Sequence, residues 1–189
     1  MDFLKQVACS SPVPAGGSVG AYGACLGIGL IYKVILLTIK MDKNAPHIEM
    51  NLLAFKKEVE RLLKDVEKLV GEDPEAYMKF SRAQRVGDKT EMKLHFSNII
   101  DVSIKVMEKS DTALEWIDRL RRVVSIQMIT HLLVACELLL GAINGTVHVV
   151  KDNIRTVKSS KKRENYLRRL NELHEKCQQR YRDVKAKLP

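Results

Sequence analysis

The distribution of proline and glycine constrains the fold of this chain more than any other feature of its sequence. No proline occurs between Glu75 and Leu188, and six of the ten glycines lie between Gly16 and Gly29. Because proline breaks helices and glycine weakens them, a long stretch without proline favours helices. No alternation of apolar and polar residues indicates a β-strand. We therefore predict an all-α protein, an up-and-down bundle of long helices, in one domain over residues 1–189.

The predicted helices follow from apolar periodicity and from capping residues. Residues 48–70 show the clearest pattern, with apolar side chains at alternating spacings of four and three that are typical of helix packing. Gly71 is expected to end this helix, and Asp73 is expected to cap the next one, with Pro74 at its first position. Asp111 is a further predicted cap. The predicted helices cover residues 2–9, 18–39, 48–70, 74–85, 89–109, 111–122, 123–150 and 160–188.

Two of these helices are apolar around most of their circumference. Residues 19–39 are interrupted mainly by Lys33 and are long enough to span a bilayer, and residues 123–150 contain few polar side chains. Such helices lie in a membrane, or they are buried by neighbouring helices and a second subunit. The charged amphipathic helices between them favour the second interpretation, and no secretory signal is evident. We therefore expect a cytoplasmic homodimer without a membrane-spanning segment.

The net charge of +9 is concentrated at the C-terminal end. Residues 151–189 contain 13 Lys and Arg against 5 Asp and Glu, whereas the preceding residues contain 19 against 18. The basic helix 160–188 is compatible with binding a nucleic acid or another polyanion, or with a simple solvated helix face. The low aromatic content argues against stacking on single-stranded nucleic acid, so we do not expect a nucleic-acid partner.

The cysteines and histidines give no sign of a metal site. Cys9, Cys25, Cys136 and Cys177 are widely spaced and form no CxxC pair, which favours free thiols in a reducing compartment. The two histidines of helix 123–150 are 17 residues apart and do not form a local pair of ligands. We therefore expect no bound metal.

Three short segments resemble those of a known family. The sequence SSPVPAGGSVGA over residues 10–21 follows a short helix and precedes a helix rich in small residues, which contains the pair Leu37-Thr38. A second motif, DPEAY, begins at Asp73, and residues 101–104 form a weaker match. Together these segments resemble the cyclodeaminase/cyclohydrolase family of folate enzymes. That family includes the C-terminal domain of formiminotransferase-cyclodeaminase and the methenyltetrahydrofolate cyclohydrolases.

The resemblance implies a dimeric helical enzyme of one-carbon metabolism that acts on a tetrahydrofolate derivative and needs no metal or redox cofactor. It implies that Asp73 is the catalytic proton acceptor. The residues that it places in the folate pocket are Ser11, Pro14, Gly16, Gly17, Ser18 and Thr38. From the residues alone, a glycine pair at a helix N-terminus fits either the close approach of a flat or anionic ligand or a tight turn for helix packing.

Two departures from the family pattern keep an alternative open. Ala15 occupies the position of the first loop glycine of the family, and the polar motif expected after Gly141-Ala142 is altered. Polar groups of the pocket could therefore be missing. The alternative is a catalytically degenerate member of the family that acts as a folate-binding or helical scaffold protein.

Overall fold

Six helices make up the part of the chain that the computed structural model describes, which comprises residues 2–41, 46–157 and 159–188. No β-strand occurs within these ranges, so the predicted all-α class is confirmed. The helices are α1 (Phe3–Val7), α2 (Gly16–Met41), α3 (Pro46–Val86), α4 (Lys89–Leu120), α5 (Ile126–Arg155) and α6 (Ser160–Lys185).

Helix α3 is one continuous helix where the sequence analysis predicts two. Gly71 and Pro74 both lie inside it, so the predicted helix end at Gly71 and the capping role of Asp73 are wrong. The reason is a buried stripe, here called the α3 seam, which continues past Leu69 at the same spacing of four and three. Its members after Phe55 are the buried residues Val59, Leu62, Val66, Leu69, Asp73, Ala76 and Ala83 and the half-buried Phe80. Packing along this seam maintains the helix although Pro74 lacks one backbone donor.

Helix α4 is also continuous, so Asp111 is not a helix cap as predicted. Asp111 lies on the buried side of α4, between Met107 and Leu114, and is 4% exposed. Its carboxylate accepts a hydrogen bond from Arg180 and forms an ion pair with Lys176, both on α6. Because two cations of another helix neutralise it, this acid can occupy a core position in the middle of a helix.

Helices α2 and α5 are antiparallel neighbours that approach closely at glycines. A Cβ added to Gly27 would lie 2.9 Å from the Leu139 side chain, and one added to Gly20 would lie 2.8 Å from Thr146 Oγ1. Small residues on α2 therefore set the distance between these two helices. The other helices surround this pair, with α4 in contact with α2, α3, α5 and α6.

Ion pairs attach the basic helix α6 to acidic side chains of α4 and α5. Besides the Asp111 pairs, Arg169 lies 3.6 Å from both Asp101 and Glu108, and Lys185 pairs with Glu137. Part of the excess positive charge of the C-terminal segment therefore serves to dock α6 onto the bundle.

One side of the α2–α5 pair is poorly covered. By length and composition alone both helices could cross a membrane, but only 39% and 44% of their most apolar windows are buried within the chain. Val19, Leu26 and Val134 are each more than 40% exposed. The uncovered surface, here called the α2–α5 face, comprises the exposed residues Val19, Leu26 and Lys33 of α2 and Val134, Gly141 and Gly145 of α5.

Candidate functional site

The loop before α2 leaves the first turn of that helix without a cap of its own. The residue that precedes Gly16 is Ala15, whose side chain has no oxygen to accept hydrogen bonds from the free N–H groups of the turn. Ser11 is exposed, and its Oγ accepts a hydrogen bond of 3.5 Å from the Val13 N–H. Pro14 is half-buried and follows a cis peptide bond.

Asp73 supplies the missing cap from the neighbouring helix α3. Its Oδ2 accepts hydrogen bonds from the backbone N–H and from the Oγ of Ser18, both at 3.0 Å. Because Asp73 belongs to the α3 seam and is 8% exposed, its carboxylate is held against the N-terminal end of α2. The helix dipole favours a negative charge at this position. The fold thus brings together two of the predicted site residues that are 55 positions apart in the sequence.

The glycine pair makes room for groups from two other helices. A Cβ at Gly17 would overlap the carboxylate of Asp73, and a Cβ at Gly16 would lie 2.9 Å from the Val149 side chain of α5. The space over Gly17 is therefore occupied by a carboxylate of the protein itself. Contact of either glycine with a ligand remains a prediction.

Asp73 and Asp111 are the two buried acids of the described residues, and their environments differ. Asp111 is paired with Lys176 and Arg180, whereas Asp73 forms no ion pair within the described residues. Burial raises the pKa of Asp73, and the two hydrogen bonds from Ser18 oppose that rise. A buried carboxylate without a cation costs stability, and a group perturbed in this way is a candidate functional residue.

The second carboxylate oxygen of Asp73 remains available. Oδ1 accepts no hydrogen bond from residues 2–41, 46–157 or 159–188. It is also absent from the fully buried side-chain atoms that lack a hydrogen-bond partner. It therefore keeps some contact with solvent. A carboxylate with a raised pKa is a stronger base than an ordinary one, so Oδ1 is suited to accept a proton from a bound molecule.

Thr38 lies far from the other predicted site residues. It is 20 positions after Ser18 on the same helix, which corresponds to about 30 Å along the axis. Its hydroxyl donates to the Val34 carbonyl at 2.9 Å, and its side chain is buried. Thr38 and Asp73 therefore do not lie together within a single chain.

Two residues of α5 lie against this site although they are not among the predicted site residues. Thr146 and Val149 face Gly20 and Gly16 of α2, one helical turn apart. Both belong to a helix that is apolar over most of its surface, so local pattern did not single them out. Only the antiparallel register of α2 and α5 shows which residues of α5 lie there.

A cavity of about 440 Å³ lies between α3 and α4, close to Asp73 in the sequence but lined by other residues. Both acidic and basic side chains line it, including Arg169 of α6. None of the predicted site residues lines this cavity, so it does not support their assignment. Within the described residues, no group of three or more His, Cys, Asp or Glu side chains could hold a metal ion.

The class of this protein follows from its similarity to a known family. The family model described as formiminotransferase-cyclodeaminase matches residues 1–172, so the chain belongs to that family. The predicted resemblance is thereby confirmed.

Among solved structures, the chain is similar to the formiminotetrahydrofolate cyclodeaminase of Thermotoga maritima, determined at 2.80 Å resolution. The TM-score is 0.88 at 21% sequence identity, and the match covers 98% of this chain and 93% of the other. At this identity the likeness shows the fold. A comparison with curated proteins gives no match.

Proposed function

We propose that this protein catalyses a one-carbon reaction on a tetrahydrofolate derivative, with Asp73 as the proton acceptor. Membership of the formiminotransferase-cyclodeaminase family supports a folate-related activity. The observation that carries the assignment of Asp73 is its burial beside the N-terminus of α2, where no cation and no donor to Oδ1 come from the described residues. A structural acid in the core would be expected to be paired, as Asp111 is.

Two reactions fit this proposal. In the cyclodeaminase reaction, N10 of formiminotetrahydrofolate attacks the protonated formimino group at its carbon, and the N10 proton passes to a base. The amino group then takes up a proton from solvent and leaves as ammonia, which gives the methenyl compound. In the cyclohydrolase reaction, water adds to the methenyl carbon and loses a proton before the ring opens to the formyl compound. Both need one proton acceptor beside a cationic planar carbon, and a carboxylate also stabilises that positive charge.

The experiment is a turnover assay of the purified protein with both substrates, in which appearance or loss of the methenyl absorbance is followed. We expect turnover of one substrate and a loss of about 100-fold or more in kcat for Asp73→Asn. The asparagine can still accept the hydrogen bonds from Ser18, so the fold should persist. Equal activity of the variant would remove Asp73 from the mechanism. Activity should persist in EDTA, because the proposed reaction uses no metal or other cofactor.

The alternative is a family member that binds folate without turnover or serves as a helical scaffold. Ala15 and the altered polar motif after Gly141-Ala142 favour it. Calorimetry and thermal unfolding with a tetrahydrofolate derivative separate the cases. A ligand of the native state stabilises it by about 2.7 kcal/mol at 100 times its Kd. Stoichiometric binding without turnover indicates a carrier, and no binding indicates a scaffold.

We also propose that the α2–α5 face is covered by a second copy of this chain. Gly141 and Gly145 lie inside α5 with open space in front of them, although helical glycine is unfavourable. Such positions suit the close approach of another helix. Lys33 is exposed near the middle of α2, where burial in lipid would cost about 2.5–3.5 kcal/mol, so a protein partner fits this face better than a bilayer.

The dimer proposal also offers a place for Thr38. Because Thr38 and Asp73 are far apart in one chain, a pocket that uses both would have to lie between two copies. We expect a solution mass of twice the 21.5 kDa of the chain. Leu26→Asp should give a monomer, whereas Leu94→Asp, at an exposed leucine of α4, should remain dimeric. A monomeric wild-type protein at micromolar concentration would contradict this arrangement.

A cytoplasmic location follows from the same proposal. If the α2–α5 face meets a second copy, the protein should fractionate with the cytosol and be purified without detergent. Recovery only from the membrane fraction would favour insertion of α2 and α5 instead. The basic helix α6 is expected to show no salt-sensitive binding to duplex DNA or RNA, because several of its cations are engaged with α4 and α5.

A further inference from the structure

The hydroxyl of Thr146 in α5 is an exception among the buried hydroxyls of the bundle. Buried Ser and Thr side chains inside helices usually donate to the carbonyl four residues earlier, as Thr38, Ser103 and Ser110 do here. Thr146 is 1% exposed, and its Oγ1 has no hydrogen-bond partner in the described part of the chain. A buried hydroxyl without a partner is unfavourable for the fold, so its presence needs another explanation.

The position of Thr146 connects it with the Asp73 site. Its Oγ1 faces Gly20, at 2.8 Å from where a Cβ would lie, and the Asp73 carboxylate occupies the corresponding space over Gly17. Residues three apart on a helix share a face, with Cβ positions about 5–6 Å apart. Thr146 Oγ1 of α5 and Asp73 Oδ1 of α3, which have no hydrogen-bond partner in the described residues, therefore lie over neighbouring positions at the N-terminal end of α2.

We propose that Thr146 is a positioning residue for Asp73. Its hydroxyl makes no hydrogen bond to Oδ1 within the described residues, and a rotation of the Thr146 or Asp73 side chain brings it into contact with the proton-accepting oxygen. This inference rests on the proposed function, since it assigns a partner to the same carboxylate. A hydroxyl can donate to the ionised acid and accept from the protonated acid, so it serves Asp73 before and after the proton arrives. The proton ends on Asp73, and Thr146 is chemically unchanged.

The geometry of Gly20 supports this role. A side chain at position 20 would collide with the hydroxyl, so glycine at this position leaves room for the buried oxygen of Thr146. The N-terminus of α2 adds positive potential at this end of the helix. An apolar residue at position 146 would pack equally well against glycine, so packing alone does not require threonine there.

The test compares Thr146→Val, which keeps the shape and removes the hydroxyl, with Thr146→Ser, which keeps the hydroxyl. For Thr146→Val we expect an unchanged or higher Tm, because an unpaired group is removed. We expect a loss of about tenfold in kcat and an upward shift of the acidic limb of the pH–kcat profile. Thr146→Ser should restore kcat to within about threefold of the wild type. A valine variant with the wild-type kcat and pH profile would overturn the proposal, as would a Tm loss parallel to the activity loss.

A measurement without substrate separates this inference from the proposed function. The pKa of the Asp73 carboxyl can be followed by carbon NMR in the free protein. Because a hydrogen bond to the ionised form favours it, Thr146→Val should raise that pKa by about 0.5 or more, and Thr146→Ser should not. If neither folate is turned over but this shift occurs, the proposed function fails and the pairing stands. If turnover occurs but the Asp73 titration is the same in all three proteins, the positioning role fails alone.

Discussion

Oδ2 of Asp73 accepts two hydrogen bonds from Ser18, one from its backbone N–H and one from its hydroxyl, each at 3.0 Å. One oxygen of the acid therefore caps α2, and the other remains free. In a single carboxylate, Oδ2 thus has the structural role of a helix cap, and Oδ1 has the proposed chemical role of proton acceptor. Substitutions around it should accordingly affect stability and activity in different ways.

The raised pKa of Asp73 gives the folded protein a definite pH dependence. Because burial raises the pKa of Asp73 in the folded state above its ordinary value, the folded state holds this proton more strongly than the unfolded chain. The resulting stabilisation is present at low pH and is lost as the pH rises through the folded pKa. The free energy of unfolding of the wild type should thus fall relative to that of Asp73→Asn as the pH rises from the ordinary pKa of an aspartate, about 3.9, through the raised pKa of the folded state. Urea titrations at several pH values measure this difference, and a difference that does not vary with pH would contradict the assignment.

Gly17 should be the least replaceable glycine of α2. In Gly17→Ala the new methyl group overlaps the Asp73 carboxylate, so the acid must move and the cap on Ser18 is lost. We expect a loss of about 1–3 kcal/mol in the free energy of unfolding and a loss of turnover. Chemical denaturation and the folate assay check both. Gly29→Ala, in the same helix but with open space around it, is the matched control and should not be destabilised.

The continuity of α3 can be tested at Gly71. Since Gly71 lies inside the helix without a positive φ and with open space around it, Gly71→Ala should raise the free energy of unfolding by about 0.5–1 kcal/mol. Gly87 has a φ of +74° between α3 and α4, so Gly87→Ala should instead lower stability by about 1 kcal/mol. A destabilised Gly71→Ala variant would indicate that the helix ends there after all.

Asp111 should matter for the docking of α6 onto α4. Asp111→Ala removes the acceptor of Lys176 and Arg180, and we expect a loss of about 1.5–3 kcal/mol, because hydrogen bonds between charged groups are among the stronger ones. Glu60→Ala breaks an exposed ion pair with Lys64 on α3 and is the control, with no measurable change expected. Thermal and urea unfolding compare the two. Equal losses in the free energy of unfolding would show that the buried ion pairs of Asp111 stabilise the fold no more than an exposed pair does.

The four cysteines should differ in reactivity. Cys9 is exposed, whereas burial raises the pKa of Cys25 to about 11 and the pKa values of Cys136 and Cys177 to about 12. Because the thiolate is the reactive form, one thiol per chain should react rapidly with a thiol reagent near pH 8 in the native protein. All four should react after denaturation. More than one fast thiol in the native state would show that the helices open readily.

The helices were predictable because their apolar periodicity is local, but two predicted helix boundaries were not correct. Asp73 and Asp111 both have the residue type of an N-cap, and Gly71 and Pro74 have those of helix breakers. Each acid instead lies on a buried stripe whose spacing of four and three continues through it. The spacing is present in the sequence. A charged residue at one of its positions nevertheless suggests that the buried stripe ends there, unless the residue that neutralises or binds the charge is known.

The sequence by itself determined the helical class and the family resemblance, because these depend on composition and on short motifs. Tertiary structure decided that Asp73 contacts Ser18, that Asp111 is neutralised by α6, and that Thr146 faces Gly20 without a partner. It also separated Thr38 from the other predicted site residues. Contacts between distant parts of the chain depend on helix register and on which sides of the helices meet, and neither is encoded in a local pattern.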